Sequence, residues 1–240
     1  MALNRAPSLA KSLDLLGNAH QVVVIDNGST DSTGERATLR LPRNFGLTRA
    51  LNIGLRAAEG EYLMVLHDDA RISAEGVTKL ADYLEAHPEA GIVAPLLTDE
   101  SGKPAPQVSA LPSPADPDPA MLPASGGEEI TVPCVSGAAF MFRAFAFRSL
   151  RQIEERYGTY GSNIELCAQM ARASKKVVVL RGVTAIHESA ASPVPASTLQ
   201  SDRIAGTIAF LGKHHGLASA IAYRLKAGPK GLVAKIIDGN

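Results

Sequence analysis

Short runs of continuous apolar residues, alternating with segments of helical periodicity, constrain this chain more than any other feature. Residues 22–25 (VVVI) are a continuous β-branched run, and 62–66 (YLMVL), 90–97 (AGIVAPLL) and 175–180 (KKVVVL) are further short apolar runs. Such runs mark strands buried on both faces. Residues 8–16 and 48–58 have helical spacing, the latter with Leu51, Leu55 and Ala58 on one side. Residues 73–86 form a third helix, with Ser73 as its N-cap. Strand, helix, strand, helix, strand implies right-handed crossovers and a mostly parallel sheet. Ligands bind such sheets at the carboxyl ends of their strands. Two of those ends are acidic here. Ile25 runs into Asp26 and Asn27, and Leu66 runs into His67, Asp68 and Asp69. Adjacent carboxylates repel, and burying either is costly without a partner. The pair is therefore either a solvated strand end or the seat of something positive.

The chain has 240 residues, enough for one large domain or two small ones. Its 24 basic and 24 acidic residues cancel, which argues against a general nucleic-acid binder. Cys134 and Cys167 lie far apart in no metal-like spacing and read as buried free thiols in a reducing compartment. No apolar run approaches the ~20 residues that span a bilayer, and the N-terminus lacks the apolar stretch of a signal peptide. A cytoplasmic location follows, with contact to the inner membrane face left open.

Residues 99–131 break the pattern. Seven prolines lie between Pro104 and Pro123, which predicts a long irregular excursion and not a second domain. A strand then enters a helix in "VPCVSGAAFMFRAFAFRSL", and "NIELCAQMARAS" is a further helix. "GVTAIHESAAS" reads as strand and loop. Residues 216–240 form a helical tail, and basic residues recur toward the C-terminus (Lys213, Arg224, Lys226, Lys230, Lys235).

Four segments, "VVVIDNGSTDSTGE", "RNFGLTRALNIGLRAAEGEYLMVLHDDARI", "VSGAAFMFRAFAFRSL" and "TAIHESAAS", occur in an order that resembles family 2 glycosyltransferases of the GT-A fold. The likeness covers residues 4 to about 215, and the tail "FLGKHHGLASAIAYRL" is similar to that of rhamnosyltransferase-like members. The resemblance implies an α/β, Rossmann-like domain over residues 1–215 that moves a sugar, with inversion, from a nucleotide-sugar donor to an acceptor hydroxyl. Asp26 and Asn27 would lie beside the base and ribose, and Asp68 near the ribose. Asp69 would bind Mg²⁺ or Mn²⁺, with His187 and His67 completing the shell. Ser136 and Gly137 would line the pocket for the donor sugar and acceptor. A UDP- or dTDP-sugar is the implied donor, with "IDNGS" and the tail leaning to dTDP-rhamnose. A glycan or lipid-linked acceptor of cell-surface polysaccharide synthesis is the implied partner.

Two departures stand against the family pattern. Ser162 and Asn163 occupy the place of an acidic pair whose second member is the general base, and Glu165 matches a later acid. An amide nitrogen takes no proton, so Glu165 substitutes only if it faces the pocket. The chain also opens in the middle of the family's first motif, at about Asn4. The first strand is then expected to be missing, leaving residues 22–25 without a neighbour. These departures support an alternative, a nucleotide-sugar-binding pseudoenzyme. A nucleotidyltransferase, the third reading, would want a Gly-rich phosphate loop after the first strand, and none is visible.

Overall fold

The computed structural model describes residues 1–188, 192 and 194–228. Helix α1 (Ala6–Leu16) precedes two short strands, β1 (Ile25–Asp26) and β2 (Leu39–Arg40). Helix α2 (Leu47–Ala57) leads to β3 (Tyr62–Leu66), β4 (Ala70–Arg71), α3 (Ala74–Ala86) and β5 (Ala90–Thr98). The Pro-rich region contributes β6 (Pro106–Ser109), β7 (Leu122–Pro123) and β8 (Glu129–Val132). Then come β9 (Cys134–Val135), β10 (Ala139–Arg143), α4 (Ala144–Leu150), α5 (Ser162–Arg172) and β11 (Lys176–His187). Helices α6 (Ala196–His215) and α7 (Leu217–Ala227) close the described chain.

The central sheet runs β3-β10-β5-β11-β4, with β8 also on β11. Strict alternation along its strands builds a three-layer sandwich. Ile92, Phe140 and Phe142 pack with Leu55 of α2, Phe147 of α4 and Leu166 of α5 on one face. Val93 and Met141 pack with Leu80 and Leu84 of α3 on the other. Burying each such side chain contributes about 2 kcal/mol, so both helical layers are held chiefly by this burial. Helix α3 starts where the sequence places it, because Ser73 Oγ accepts from the Gly76 N–H at 3.1 Å. Gly76 is required by close packing: a Cβ there would lie 2.9 Å from Ile72 Cγ1.

The sheet is more mixed than the alternation implies. Strands β5 and β11 pair in parallel, but β10 is antiparallel to both β3 and β5. Strands β3, β5 and β11 thus share a direction, and β10 enters between β3 and β5 against them. The excursion over residues 99–131 is also less irregular than its prolines imply. Strands β7, β6 and β9 form a small sheet, and β8 pairs with residues 177–180 of β11. Prolines are tolerated there because Pro106 is the first residue of β6 and Pro123 ends β7, an edge strand. "KKVVVL" and "GVTAIH" are one strand, interrupted by a register shift between Leu180 and Thr184.

Residues 22–25 form the least regular of the anticipated strands. Only Ile25 and Asp26 join a ladder, in parallel with Leu39 and Arg40, and this two-stranded sheet is separate from the central one. A strand is a strand only where a neighbour accepts its hydrogen bonds. The N-terminus supplies one rung of that pairing: Ala2 N–H donates to Ile25 O at 2.8 Å and Asn27 N–H to Ala2 O at 2.9 Å.

Candidate active site

The acidic end of β3 is closed into a corner by strand pairing. The His67 N–H donates to Ala138 O at 2.8 Å, and a turn from His67 O to the Ala70 N–H presents Asp68 and Asp69. Ala70 then pairs with His187 in the β4–β11 ladder, and the Glu188 N–H donates to Asp69 O at 2.9 Å. The backbone therefore fixes Asp69 beside His187, although 118 positions separate them in the sequence.

His67, Asp69 and His187 each offer one ligand atom, and these atoms lie within 4.8 Å of one another. Asp69 Oδ1 is 3.3 Å from His187 Nε2, yet it is buried and makes no hydrogen bond in the structure. Such an atom is costly to bury and asks for a cation or a donor. Desolvation pushes His67 down to about 4, so its ring is neutral at pH 7 and keeps a lone pair. Burial acts to raise the Asp69 carboxyl, but the two histidines and Arg5 outweigh it and hold the group below its ordinary value. Two imidazole rings and one carboxylate form a donor set suited to a divalent transition metal such as Mn²⁺.

The corner opens into a cleft of about 470 Å³, a size typical of small-molecule sites. Asn27, Asp68, Ser136, Gly137 and Asn163 all line it. Asp68 is half-buried, and desolvation raises its carboxyl, while its Oδ2 accepts from the Leu3 N–H at 3.1 Å. The Asn27 side chain braces the cleft wall: its Nδ2 donates to Asn44 Oδ1 at 2.8 Å and its Oδ1 accepts from the Phe45 N–H at 3.0 Å. Asp26 lies behind that wall. Its Oδ1 accepts from the Ser29 N–H at 2.9 Å and its Oδ2 is 3.2 Å from Arg40 Nε. Ser136 Oγ accepts from the Ala138 N–H at 3.2 Å, tightening the turn before β10. Gly137 stands between two groups: a Cβ there would be 3.6 Å from His67 Nε2 and 3.7 Å from Asn163 Oδ1.

The two candidate positions on α5 part company. Asn163 Nδ2 donates to Val135 O at 2.7 Å, which leaves Oδ1 toward Gly137 and the cleft. Glu165, two residues further along, is not among the cleft residues. It is buried against α6, accepting from Tyr157 OH at 2.6 Å, Gln169 Nε2 at 2.6 Å and Lys213 Nζ at 2.8 Å, with His214 Nε2 also at 2.8 Å. Burial acts to raise this carboxyl, but these donors hold it down at about 2. Lys213 Nζ is thereby engaged by Glu165, with Glu154 Oε2 also at 3.6 Å, although its stem stays exposed.

Asp118 from the Pro-rich excursion and Arg203 from α6 also line the cleft, paired at 2.8 Å, with Tyr160 nearby. Nothing in their local sequence marks them, because the excursion and α6 meet only in the folded chain.

A model of glycosyl transferase family 2 matches residues 1–151, and the chain belongs to that family. An N-acetylglucosaminyl-diphospho-decaprenol L-rhamnosyltransferase of Mycobacterium tuberculosis is 25% identical over 232 residues, covering 81% of this chain and 76% of the relative. Family and relative together make the protein a glycosyltransferase. Among solved structures, a Pyrobaculum calidifontis mannosyltransferase in complex with GDP-Man and Mn²⁺ superposes with a TM-score of 0.60 at 16% identity, over 98% of this chain and 74% of the other. GalNAc-T7 with UDP, GalNAc and Mn²⁺ gives 0.60 at 15% identity, over 80% of this chain. This chain spans 43% of the length of GalNAc-T7. At such identities the likeness shows the fold, which is the GT-A fold of α/β glycosyltransferases.

Proposed function

We propose that this protein is an inverting, metal-dependent glycosyltransferase that moves a sugar, rhamnose first among candidates, from a UDP- or dTDP-linked donor to a hydroxyl of a lipid-linked or glycan acceptor. The observation that carries this reading is the buried, unsatisfied Asp69 oxygen facing His67 and His187 at the mouth of a ligand-sized cleft. The mannosyltransferase and GalNAc-T7 neighbours carry Mn²⁺ with their nucleotides, and the curated relative is a rhamnosyltransferase, which supports it. A divalent cation held by these three residues would neutralise charge on the departing diphosphate. The acceptor oxygen forms the new bond to the anomeric carbon from the face opposite the breaking bond, its proton passes to water, and the nucleoside diphosphate leaves with the bonding pair. Asn27 and Asp68 frame the nucleoside, with Asp26 supporting their wall from behind. Ser136 and Gly137 leave room for the sugar. Asn163 positions the acceptor hydroxyl through Oδ1 without taking its proton, so transfer is slow.

Calorimetric titration of UDP and dTDP, with and without Mn²⁺, tests the reading. Binding that needs the metal supports it, and the tighter nucleotide identifies the donor. Metal-independent binding, or none from a folded sample, overturns the metal site. One observation favours the alternative, a donor-binding protein without turnover: no carboxylate from α5 faces the cleft. Metal-dependent binding without release of nucleoside diphosphate would establish that alternative.

Membrane contact belongs to the same proposal, since lipid-linked acceptors sit at a membrane surface. Among the described residues no helix is long and apolar enough to cross one. Helix α7 instead exposes Leu217, Ile221 and Leu225 (72%, 50% and 76%) at helical spacing, with Arg224 and Lys226 beside them. An apolar stripe flanked by basic residues lies on an anionic bilayer. Lys213 is paired with Glu165, and Lys230 and Lys235 fall outside the described residues. Replacing the three apolar residues by Ser should weaken co-sedimentation with anionic liposomes about tenfold. Unchanged sedimentation removes this helix as the anchor.

A further inference from the structure

The corner of His67, Asp69 and His187 depends on one weakly held position. His67 and Asp69 follow β3 directly, whereas His187 reaches them as the last residue of β11. Among the described residues, the ladder of β11 with β5 ends at Ile186 opposite Thr98. Its ladder with β4 has two rungs, Ile186 with Arg71 and His187 with Ala70. Terminal rungs of a ladder open at the lowest free-energy cost. A side chain on such a rung keeps its place only if the chain is fastened just beyond it.

The next residue supplies that fastening. The Glu188 N–H donates to Asp69 O at 2.9 Å, which closes the backbone across the two ligand positions. The Glu188 carboxylate then gathers donors from two other elements. Ser8 Oγ of α1 donates to Oε2 at 2.8 Å, and Lys11 Nζ of α1 lies 3.5 Å from Oε1. Arg71 Nη2 of β4 lies 3.4 Å from the same oxygen. The Arg71 and Glu188 side chains are only 16% and 15% exposed, so solvent screens their pairing little.

Helix α1 presents its part of this arrangement on one face. Ser8, Lys11 and Ser12 stand at i, i+3 and i+4. Ser12 Oγ is buried and donates to Ala70 O at 3.0 Å, on the very residue that pairs with His187. The helix therefore holds both sides of the terminal rung, β4 through Ser12 and the end of β11 through Glu188. A glutamine at position 188 could keep the bond from Ser8, but it would turn an amide donor toward Lys11 and Arg71, which are donors themselves.

We propose that Glu188 is a positioning residue for the metal corner, clamping the end of β11, and with it His187, between α1 and β4. The role rests on the metal site proposed above. Glu188 is not among the cleft residues, so it acts through the backbone that sets His187 against Asp69.

The test reads three quantities on the full chain: Mn²⁺ affinity by calorimetry, Tm, and the protection of the residue-188 amide from exchange in metal-free protein. Glu188→Gln should weaken Mn²⁺ binding about tenfold and lower that protection by a similar factor. Ser8→Ala combined with Lys11→Gln, which leaves every residue of the corner in place, should weaken Mn²⁺ binding about threefold. Glu165→Gln is the control for general destabilisation: it should lower Tm at least as far while Mn²⁺ affinity stays within about twofold of the parent. Parent-like Mn²⁺ affinity in Glu188→Gln would overturn the role, and so would an equal loss of affinity in Glu165→Gln, since affinity would then follow overall stability. A parent protein that binds no Mn²⁺ would overturn the metal site and this role together, whereas parent binding with an unaltered Glu188→Gln protein removes this role alone.

Discussion

Two buried carboxylates in this protein lie at opposite extremes. Asp69 has an oxygen with no hydrogen bond, beside two imidazoles, at the edge of a cleft. Glu165 is equally hidden but has donors from Tyr157, Gln169 and Lys213, with His214 at the same range. Burial alone therefore does not make an acid functional. An acid with unused hydrogen-bonding capacity awaits a ligand, whereas a saturated one ties elements together. Glu165 ties α5 to α6, while Asn163, two residues earlier, meets the cleft together with Ser162.

The largest test of this contrast adds an acid where the cleft lacks one. Asn163→Asp should raise sugar transfer by about 10²- to 10⁴-fold if Asn163 occupies the place of the general base. An unchanged rate in a folded variant would assign the proton to another group. Next in size, Asp69→Asn should weaken Mn²⁺-dependent nucleotide binding by more than about 100-fold while leaving Tm near the parent value or above it, because an unsatisfied charge has been removed. A large drop in Tm with binding intact would make Asp69 structural and break the comparison. The smallest effect on chemistry belongs to Glu165→Gln. It should cost roughly 2 kcal/mol of stability, by weakening the hydrogen bonds that Tyr157, Gln169, Lys213 and His214 make to the carboxylate, and leave metal affinity within about twofold.

The same acid predicts a pH dependence with a definite sign. Its folded carboxyl titrates at about 2, below the ordinary 4.5. Its contribution is therefore fully present above about pH 4.5 and is lost as pH falls toward 2. Acid unfolding curves of parent and Glu165→Gln proteins should converge through that window. Curves that stay parallel down to pH 2 would show that the network does not carry this stability.

Local patterns were enough to place much of this molecule. The apolar runs at 62–66 and 90–97 are strands, the Ser73 cap starts α3, and Asp69 stands at the acidic end of β3. Each depends on contacts a few residues long, which propensity and periodicity capture. Asn163 and Glu165 were both legible as positions, but which of them faces the cleft was not, since the answer lies in Lys213 and His214 on another helix.

Sequence by itself determined the family, the alternating layers and the acidic strand ends, because those follow from side-chain type and chain-local spacing. Only the tertiary structure decided the rest. The β4–β11 ladder brings Asp69 to His187, β10 enters the sheet against its neighbours, and the Pro-rich excursion meets α6 through Asp118 and Arg203. The structure also leaves residues 22–24 outside any ladder, though their sequence is as strand-like as any in the chain. The reason is physical: a hydrogen-bonded strand needs an edge to pair with, and that edge is supplied by another part of the fold.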